Sequence, residues 1–203
     1  MVPTEQIMID PARTALLLMD FQQGIVDMMP AAEDAVAHAA KAAGVARAAG
    51  IHIGHVRVAF RPGHPEVSAR NKGFAPVAAA GLMAEGDSTT LFHPQVVPAG
   101  TMLDAEFVVT KTRVNAFSGT DLDQILRAAD VDTLVLAGLA TSGVVLSTLR
   151  DAADRDYRVL VLADATADPD PEVHRVLLAK VFPTQAEVLD TATFVSAVAA
   201  GMG

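Results

Sequence analysis

Uninterrupted apolar runs alternate with stretches of helical spacing along most of this chain, separated by clusters of Gly, Pro and Asp. The first run, TALLLMD at 14–20, is apolar until it closes on a charge, the pattern of a strand buried on both faces. FQQGIVDMMP follows as a loop or short turn. An Ala-rich helix is predicted from Asp34 to Ala49, with Gly50 as its C-terminal cap. IHIGHVRVAF (51–60) reads as the second strand, rich in β-branched residues. The Pro- and Gly-bearing RPGHPEVSARNKGFAP predicts a long surface excursion that shapes a substrate mouth.

EFVVTK (106–111), DTLVLAG (132–138), YRVLVLAD (157–164) and the short AEVLD supply strands three to six. Helices are predicted between and after them. SGTDLDQILRAAD has Thr120 as N-cap and Asp123 as the acid of a capping box. A second helix runs from Thr141 to Asp156, a third is DPEVHRVLLAKVF with its early proline, and a fourth is TATFVSAVAA. Such alternation implies parallel strands, right-handed crossovers and helices on both faces. The predicted fold is a single three-layer α/β domain over residues 1–203. Its open, doubly wound, mainly parallel six-stranded sheet has the order 3-2-1-4-5-6, and ligands bind such sheets at the carboxyl ends of the strands.

Composition narrows the function. At 203 residues and 51% hydrophobic, the chain can bury one sizeable core. Fifteen Lys and Arg against 24 Asp and Glu give a net charge of −9, and no basic patch interrupts it. That surface repels phosphate backbones and anionic lipids, so no nucleic-acid or membrane partner is expected. MVPTEQIMIDPART lacks the basic start and apolar run of a signal peptide, and a cytoplasmic location is expected. The absence of cysteine excludes disulfides, thiolate ligands and thiol nucleophiles together.

The strand-end rule yields a short set of candidates: Asp20, Lys111 and the Gly138–Val144 turn. Each alone has an ordinary explanation, as a turn residue, a solvated cation or Gly punctuation. Their shared place at one end of the sheet singles them out. A helix N-terminus after Gly138 would add unpaired N–H groups suited to negative charge. Among the histidines, His52 and His55 lie three apart on a strand and face opposite ways. His38 and His174 read as helix-surface residues and His93 as a turn residue. No metal and no cofactor are expected.

Three blocks, TALLLMDFQQGIV, FVVTKTRVNAFSGTDLDQIL and VDTLVLAGLATSGVVLSTLRDAADRDYRVLVLADATAD, resemble those of the isochorismatase-like hydrolases in the same order. The likeness spans nearly the whole chain and implies the same fold. In many members the third block reads Gly-(Ile/Val)-Ala-Thr-x-x-Cys, the Cys being the nucleophile. Asp20 and Lys111 match the other two members of that Asp-Lys-Cys triad, and the Cys position falls on Val144. The resemblance also implies a cis Leu139–Ala140 peptide. It further implies a substrate site drawn from Phe21, Gln22, Phe60, Arg61, Arg113, Phe117, Leu139, Ala140, Thr141, Ser142 and Gly143. Arg57, Arg61 and Arg113 are candidate clamps for substrate carboxylates. A homo-oligomer, dimer or tetramer, is expected, with Phe74 and APVAAAGLM of the 61–90 loop available to pack on a second subunit. Secondary metabolism is the expected setting.

A valine cannot attack a carbonyl. Ser142 and Ser147 stand away from the nucleophile's position with no base identified. Thr141 is expected to cap the helix and Ser147 to face a neighbouring element. The family's isochorismatases cleave a vinyl ether without a cysteine in the catalytic role. There the Asp matching Asp20 protonates the enol-ether carbon and water captures the cation. The resemblance therefore implies a small-molecule hydrolase acting without a thiol, through Asp20 general-acid catalysis with Lys111, on an isochorismate-like or related small carboxylated substrate. Lys111 would lower the carboxyl's pKa and burial would raise it. The alternative is a catalytically reduced member that binds a small molecule or serves as a structural or regulatory subunit. Two departures stand out: Ala140-Thr141 replaces the isochorismatases' Ala-His pair, and HVRVAFRPGHPE lacks the Asp-x-His metal cluster of the nicotinamidases. A nucleotide-binding reading fails on DFQQGIV, which has a single glycine and no P-loop lysine.

Overall fold

Six strands pair in parallel in the order 3-2-1-4-5-6, the central ones buried from both sides and the two edge strands only in part. The computed structural model describes residues 7–98 and 106–201. The strands are β1 (Thr14–Met19), β2 (His52–Val58), β3 (Glu106–Lys111), β4 (Thr133–Leu139), β5 (Arg158–Ala167) and β6 (Glu187–Leu189). β1 lies between β2 and β4, with Leu17 opposite Gly54 on one side and Leu136 on the other. The order reverses between β1 and β4, which opens a crevice at their carboxyl ends.

Alternate side chains of the central strands feed two separate cores. Leu16, Leu18, Val135 and Ala137 face α1 (Ala32–Ala49) and the C-terminal Thr191–Gly201 helix. Ala15, Leu17, Met19, Leu134 and Leu136 face the other layer: α2 (Leu122–Ala128), α3 (Leu146–Asp154) and α4 (Pro171–Val176), with α5 being Thr191–Gly201. α1 buries a stripe of alanines, Ala35, Ala39, Ala42, Ala43 and Ala46, whose small side chains let the helix lie close to the sheet. It ends on Gly50 at φ +74°, whose N–H bonds back to Ala46 and Arg47.

The local differences from the sequence reading have physical causes. α1 starts at Ala32, two residues early; Ala31 offers no capping side chain, and Glu33 and Asp34 place favourable negative charge in the first turn. One helical turn, Gln23–Val26, occupies the segment read as a loop or short turn. Thr120 stands one residue before the N-cap position, held by Asp121, yet its Oγ1 accepts the N–H of Leu122, the first helical residue, at 3.4 Å. Its hydroxyl donates to Ala116 O at 2.6 Å, and α2 begins only at Leu122. Asp123 is no capping-box acid either; it pairs with Arg127 and Arg155. β5 runs to Ala167, past the predicted end at Asp164, with a register shift against β4 between Leu136 and Gly138. The helix expected over 141–156 is broken: Thr141–Val145 forms a wide turn with Gly143 at φ −97° and ψ −105°, and regular helix starts at Leu146. The 170–182 helix likewise loosens into a wide turn after Val176. No helix among the described residues is long and apolar enough to cross a membrane.

Candidate active site

Asp20 follows β1 directly and takes the left-handed conformation, φ +61°, which an Asp tolerates better than most side chains at a cost of roughly 1–2 kcal/mol. Its N–H donates to Val56 O on β2 at 2.8 Å, which ties it to that neighbouring strand. The side chain is 5% exposed residue-wide and turns inward at the switch point. Lys111, the last residue of β3, is 2% exposed. β2 lies between their strands, and the long lysine reaches past it to place Nζ 2.8 Å from Asp20 Oδ2.

The other carboxylate oxygen, Oδ1, is buried and has no hydrogen-bond partner. Burial raises the Asp20 pKa, and the charge and hydrogen bond of Lys111 pull it down; burial wins, and the carboxyl stands above its ordinary value. The result is a carboxyl biased towards its protonated form, anchored through one oxygen and unpartnered on the other. Such a group suits proton delivery.

The third element is the turn after β4. The Leu139–Ala140 peptide is cis. Val144 is 2% exposed and joins the core that holds Met19 and Val145. A Cβ added to Gly138 would lie 3.4 Å from Val144 Cγ1 and only 2.9 Å from Met19 O, so Val144 packs over the β1–β4 floor beside the residue that precedes Asp20. Leu139 is buried in the opposite core, and Ala140 packs against it.

The hydroxyls of this turn are accounted for one by one. Ser147 Oγ, in the first turn of α3, donates back to Gly143 O at 2.9 Å in the preceding turn. Ser142 is exposed. Thr141 is fully buried and is not the helix cap; its Oγ1 lies 2.8 Å from Nδ1 of His174. The cap is Asp168, whose Oδ2 accepts the Ser142 N–H at 2.7 Å. A carboxylate already sits where an anionic substrate oxygen was expected. His174 is half-buried behind this turn and is no surface residue. Neither Asp168 nor the place of His174 was found from sequence. Drawing the fifth strand through Ala167 would have put Asp168 at a strand end, among the candidates.

The remaining candidates are dispersed. Phe21 is buried in the α1-side core. The Gln22 amide clamps backbone: Oε1 accepts Val58 N–H at 2.7 Å while Nε2 donates to Val58 O and Thr90 O. Phe60 is the centre of a small separate core, edge-on to Phe74 and beside Met83, so residues of the predicted surface excursion fold on themselves. Phe117 is carried to the other end of the sheet, stacked on Tyr157, the residue before β5, with the Arg155 guanidinium 4.8 Å above its ring. Arg61 pairs outward with Glu66, Arg57 donates to Thr110, and the exposed Arg113 donates to its neighbour's carbonyl at Thr112. His55 and His52 do face opposite ways; His55 is buried against Glu106. Among the described residues, no three His, Cys, Asp or Glu side chains group closely enough to hold a metal ion.

Comparison with known proteins converges on the same frame. The profile of the Isochorismatase domain matches residues 14–193. A ureidoacrylate amidohydrolase of Methylobacterium radiotolerans is 35% identical, over 95% of this chain and 82% of its own length. A maleamate amidohydrolase of Pseudomonas putida is 31% identical, over 82% of this chain and 78% of its own. The crystal structure of a cysteine hydrolase from Pseudomonas syringae superposes with a TM-score of 0.86 at 26% identity, covering 95% of both chains.

Proposed function

Because the chain belongs to the isochorismatase family, we propose that it is a small-molecule hydrolase that works without a thiol, with Asp20 as general acid and water as the group that attacks. The observation that carries this reading is the Asp20 carboxyl, buried, pushed up in pKa, and tied to Lys111 through Oδ2 while Oδ1 stays unpartnered. The protein has no cysteine, and the one hydroxyl of the turn with a base beside it, Thr141, is sealed from solvent.

On a vinyl ether the step balances as follows. Asp20 gives its proton to the terminal alkene carbon, and the π electrons move to form a C–H bond. The ether oxygen shares the positive charge as an oxocarbenium ion. Water adds to the carbon bonded to that ether oxygen and loses a proton, and Asp20 recovers one; the hemiketal then collapses to a ketone and an alcohol. Lys111 stabilises the carboxylate left after proton transfer, while burial drives its reprotonation. The proposed substrate is small and carries an enol ether, with a carboxylate as in isochorismate-like compounds. The exposed Arg113 is the cation free to meet that carboxylate, since Arg61 is held by Glu66.

The test is Asp20→Asn assayed on small enol ethers, with ureidoacrylate and maleamate run beside them. We expect turnover of an enol ether and a loss of roughly 10²–10⁴-fold in the variant, the range for a positioned acid. Full turnover by Asp20→Asn removes the acid role. Binding without turnover across all three compounds supports the second reading, a catalytically reduced binding or regulatory member, which Val144 at the nucleophile's place favours.

A further inference from the structure

Behind the 141–145 turn, away from the acid, lies a polar cluster that the proposed chemistry does not use. Thr141 is fully buried with Oγ1 2.8 Å from His174 Nδ1. Asp168 is 6% exposed, and each of its oxygens takes a backbone amide: Ser142 N–H at 2.7 Å and Asp170 N–H at 3.2 Å. Asp170 in turn caps α4 by accepting the N–H groups of Glu172 and Val173, and α4 carries His174. The end of β5, the start of α4 and the turn after β4 are thus tied at two points, through Thr141 and through Ser142.

We propose that His174 and Asp168 are positioning residues for the 140–144 turn, and that the neutral imidazole of His174 is the form that holds it. With a neutral ring, Nδ1 shares a hydrogen bond with the Thr141 hydroxyl, and the Asp168 carboxylate is left to the Ser142 and Asp170 amides. A proton on the ring makes both nitrogens donors, so the Thr141 hydroxyl can only accept from Nδ1, and it creates a cation that competes for Asp168. The charged group bearing on the ring from another element is Asp168 at the end of β5; Asp170 and Glu172 lie on the first turn of its own helix. The turn contributes only Thr141 and Ser142, which carry no charge. Burial lowers the His174 pKa, and Asp168 offsets this only in part, so the ring stays neutral below the ordinary histidine range. Because Thr141 is sealed, its hydroxyl serves geometry and does not attack substrate.

The test needs no substrate and stands apart from the acid chemistry. In the ¹⁵N-labelled full chain, the His174 ring and the Ser142 and Gly143 amides are followed together from pH 8 to pH 4.5. We expect the ring to titrate below the ordinary histidine value and both amides to shift with the same midpoint. His174→Asn puts an amide nitrogen or oxygen where Nδ1 stood without a titrating group. Its Ser142 and Gly143 resonances should keep their high-pH positions throughout that range. Asp168→Asn should lower the ring's midpoint and speed exchange of the Ser142 amide by roughly tenfold or more, because a charge-assisted bond is weakened. Amides of Ser142 and Gly143 that ignore the His174 midpoint, or that titrate unchanged in His174→Asn, would overturn the proposal.

Discussion

At the scale of single residues the decisive fact is that Asp20 is costly where it stands. Its pKa is raised in the fold, so the folded state binds more protons than the unfolded one around the titration. The sign follows by linkage: its contribution is fully present below the unfolded carboxylate value and is lost as pH rises through the folded one. Asn is the isostere of the protonated acid and can still accept from Lys111 Nζ. Asp20→Asn should therefore be at least as stable as the parent at pH 7.5, with the advantage shrinking as pH falls towards 4, read as urea midpoints at the two pH values. A variant that gains stability and loses turnover is the expected signature of a group kept for chemistry. Asp20 and Lys111 were legible in the sequence because a lone charge closing an apolar strand has one place to go in this topology. Gln22 was not, since nothing in its neighbours says that Val58 and Thr90 will bring three backbone groups to its amide. Phe117 was misplaced for a similar reason. The turn that carries it runs down α3, pinned by Asn115 to Asp151 and by Ala116 to Thr148, and no periodicity records that.

At the scale of elements, strands and their order follow from apolar runs too short for helices, and five of the six are bounded within a few residues. The exceptions show what pattern reading lacks. β5 continues to Ala167 across ADATA, where the bulge against β4 breaks the apolar run. The turn at 141–145 looks helical in sequence, yet its cap arrives from 26 residues away in Asp168. Two contacts between elements lead to measurable expectations. Gly138 lets β4 approach β1 closely: a Cβ there would stand 2.9 Å from Met19 O, a backbone atom with no freedom to yield. Gly138→Ala should cost about 1–3 kcal/mol by overpacking and shift the chain at Met19–Asp20, so urea denaturation and the Asp20–Lys111 distance in a crystal structure should change together. On the other face, Glu106 joins α1 to the edge strand through Arg47 and His55, with its side chain 1% exposed. Burial alone would raise the Glu106 pKa, but these two partners hold it below the ordinary value. Glu106→Ala leaves His55 and Arg47 without their acceptor. It should cost roughly 2–4 kcal/mol in denaturant unfolding, discounted for the part of Arg47 that water reaches.

At the scale of the whole molecule, the frame and the nucleophile are separable. The sheet order, the Asp20–Lys111 pair and the turn after β4 are all in place although position 144 holds an alkyl group. Each rests on backbone pairing and burial, to which Val144 contributes only apolar packing beside Met19. A frame that is complete without a thiol should accept one. Val144→Cys removes little volume from the floor beside Gly138 and Met19, and should cost about 1 kcal/mol or somewhat more. The new thiol would sit in the turn that precedes α3, beside Met19, the residue before the Asp20 that pairs with Lys111. We expect the variant to be alkylated by iodoacetamide within minutes at neutral pH and to gain hydrolysis of a small amide such as maleamate. The parent, having no cysteine, should be untouched by the reagent in any turnover it shows. Mass spectrometry of the alkylated chain and an amide assay before and after treatment read both outcomes. A folded Val144→Cys that resists alkylation would mean that the packing that leaves position 144 2% exposed holds in solution and the turn never opens to bring side chain 144 to the crevice. The missing cysteine would then be a change in the turn's geometry as well as in its chemistry.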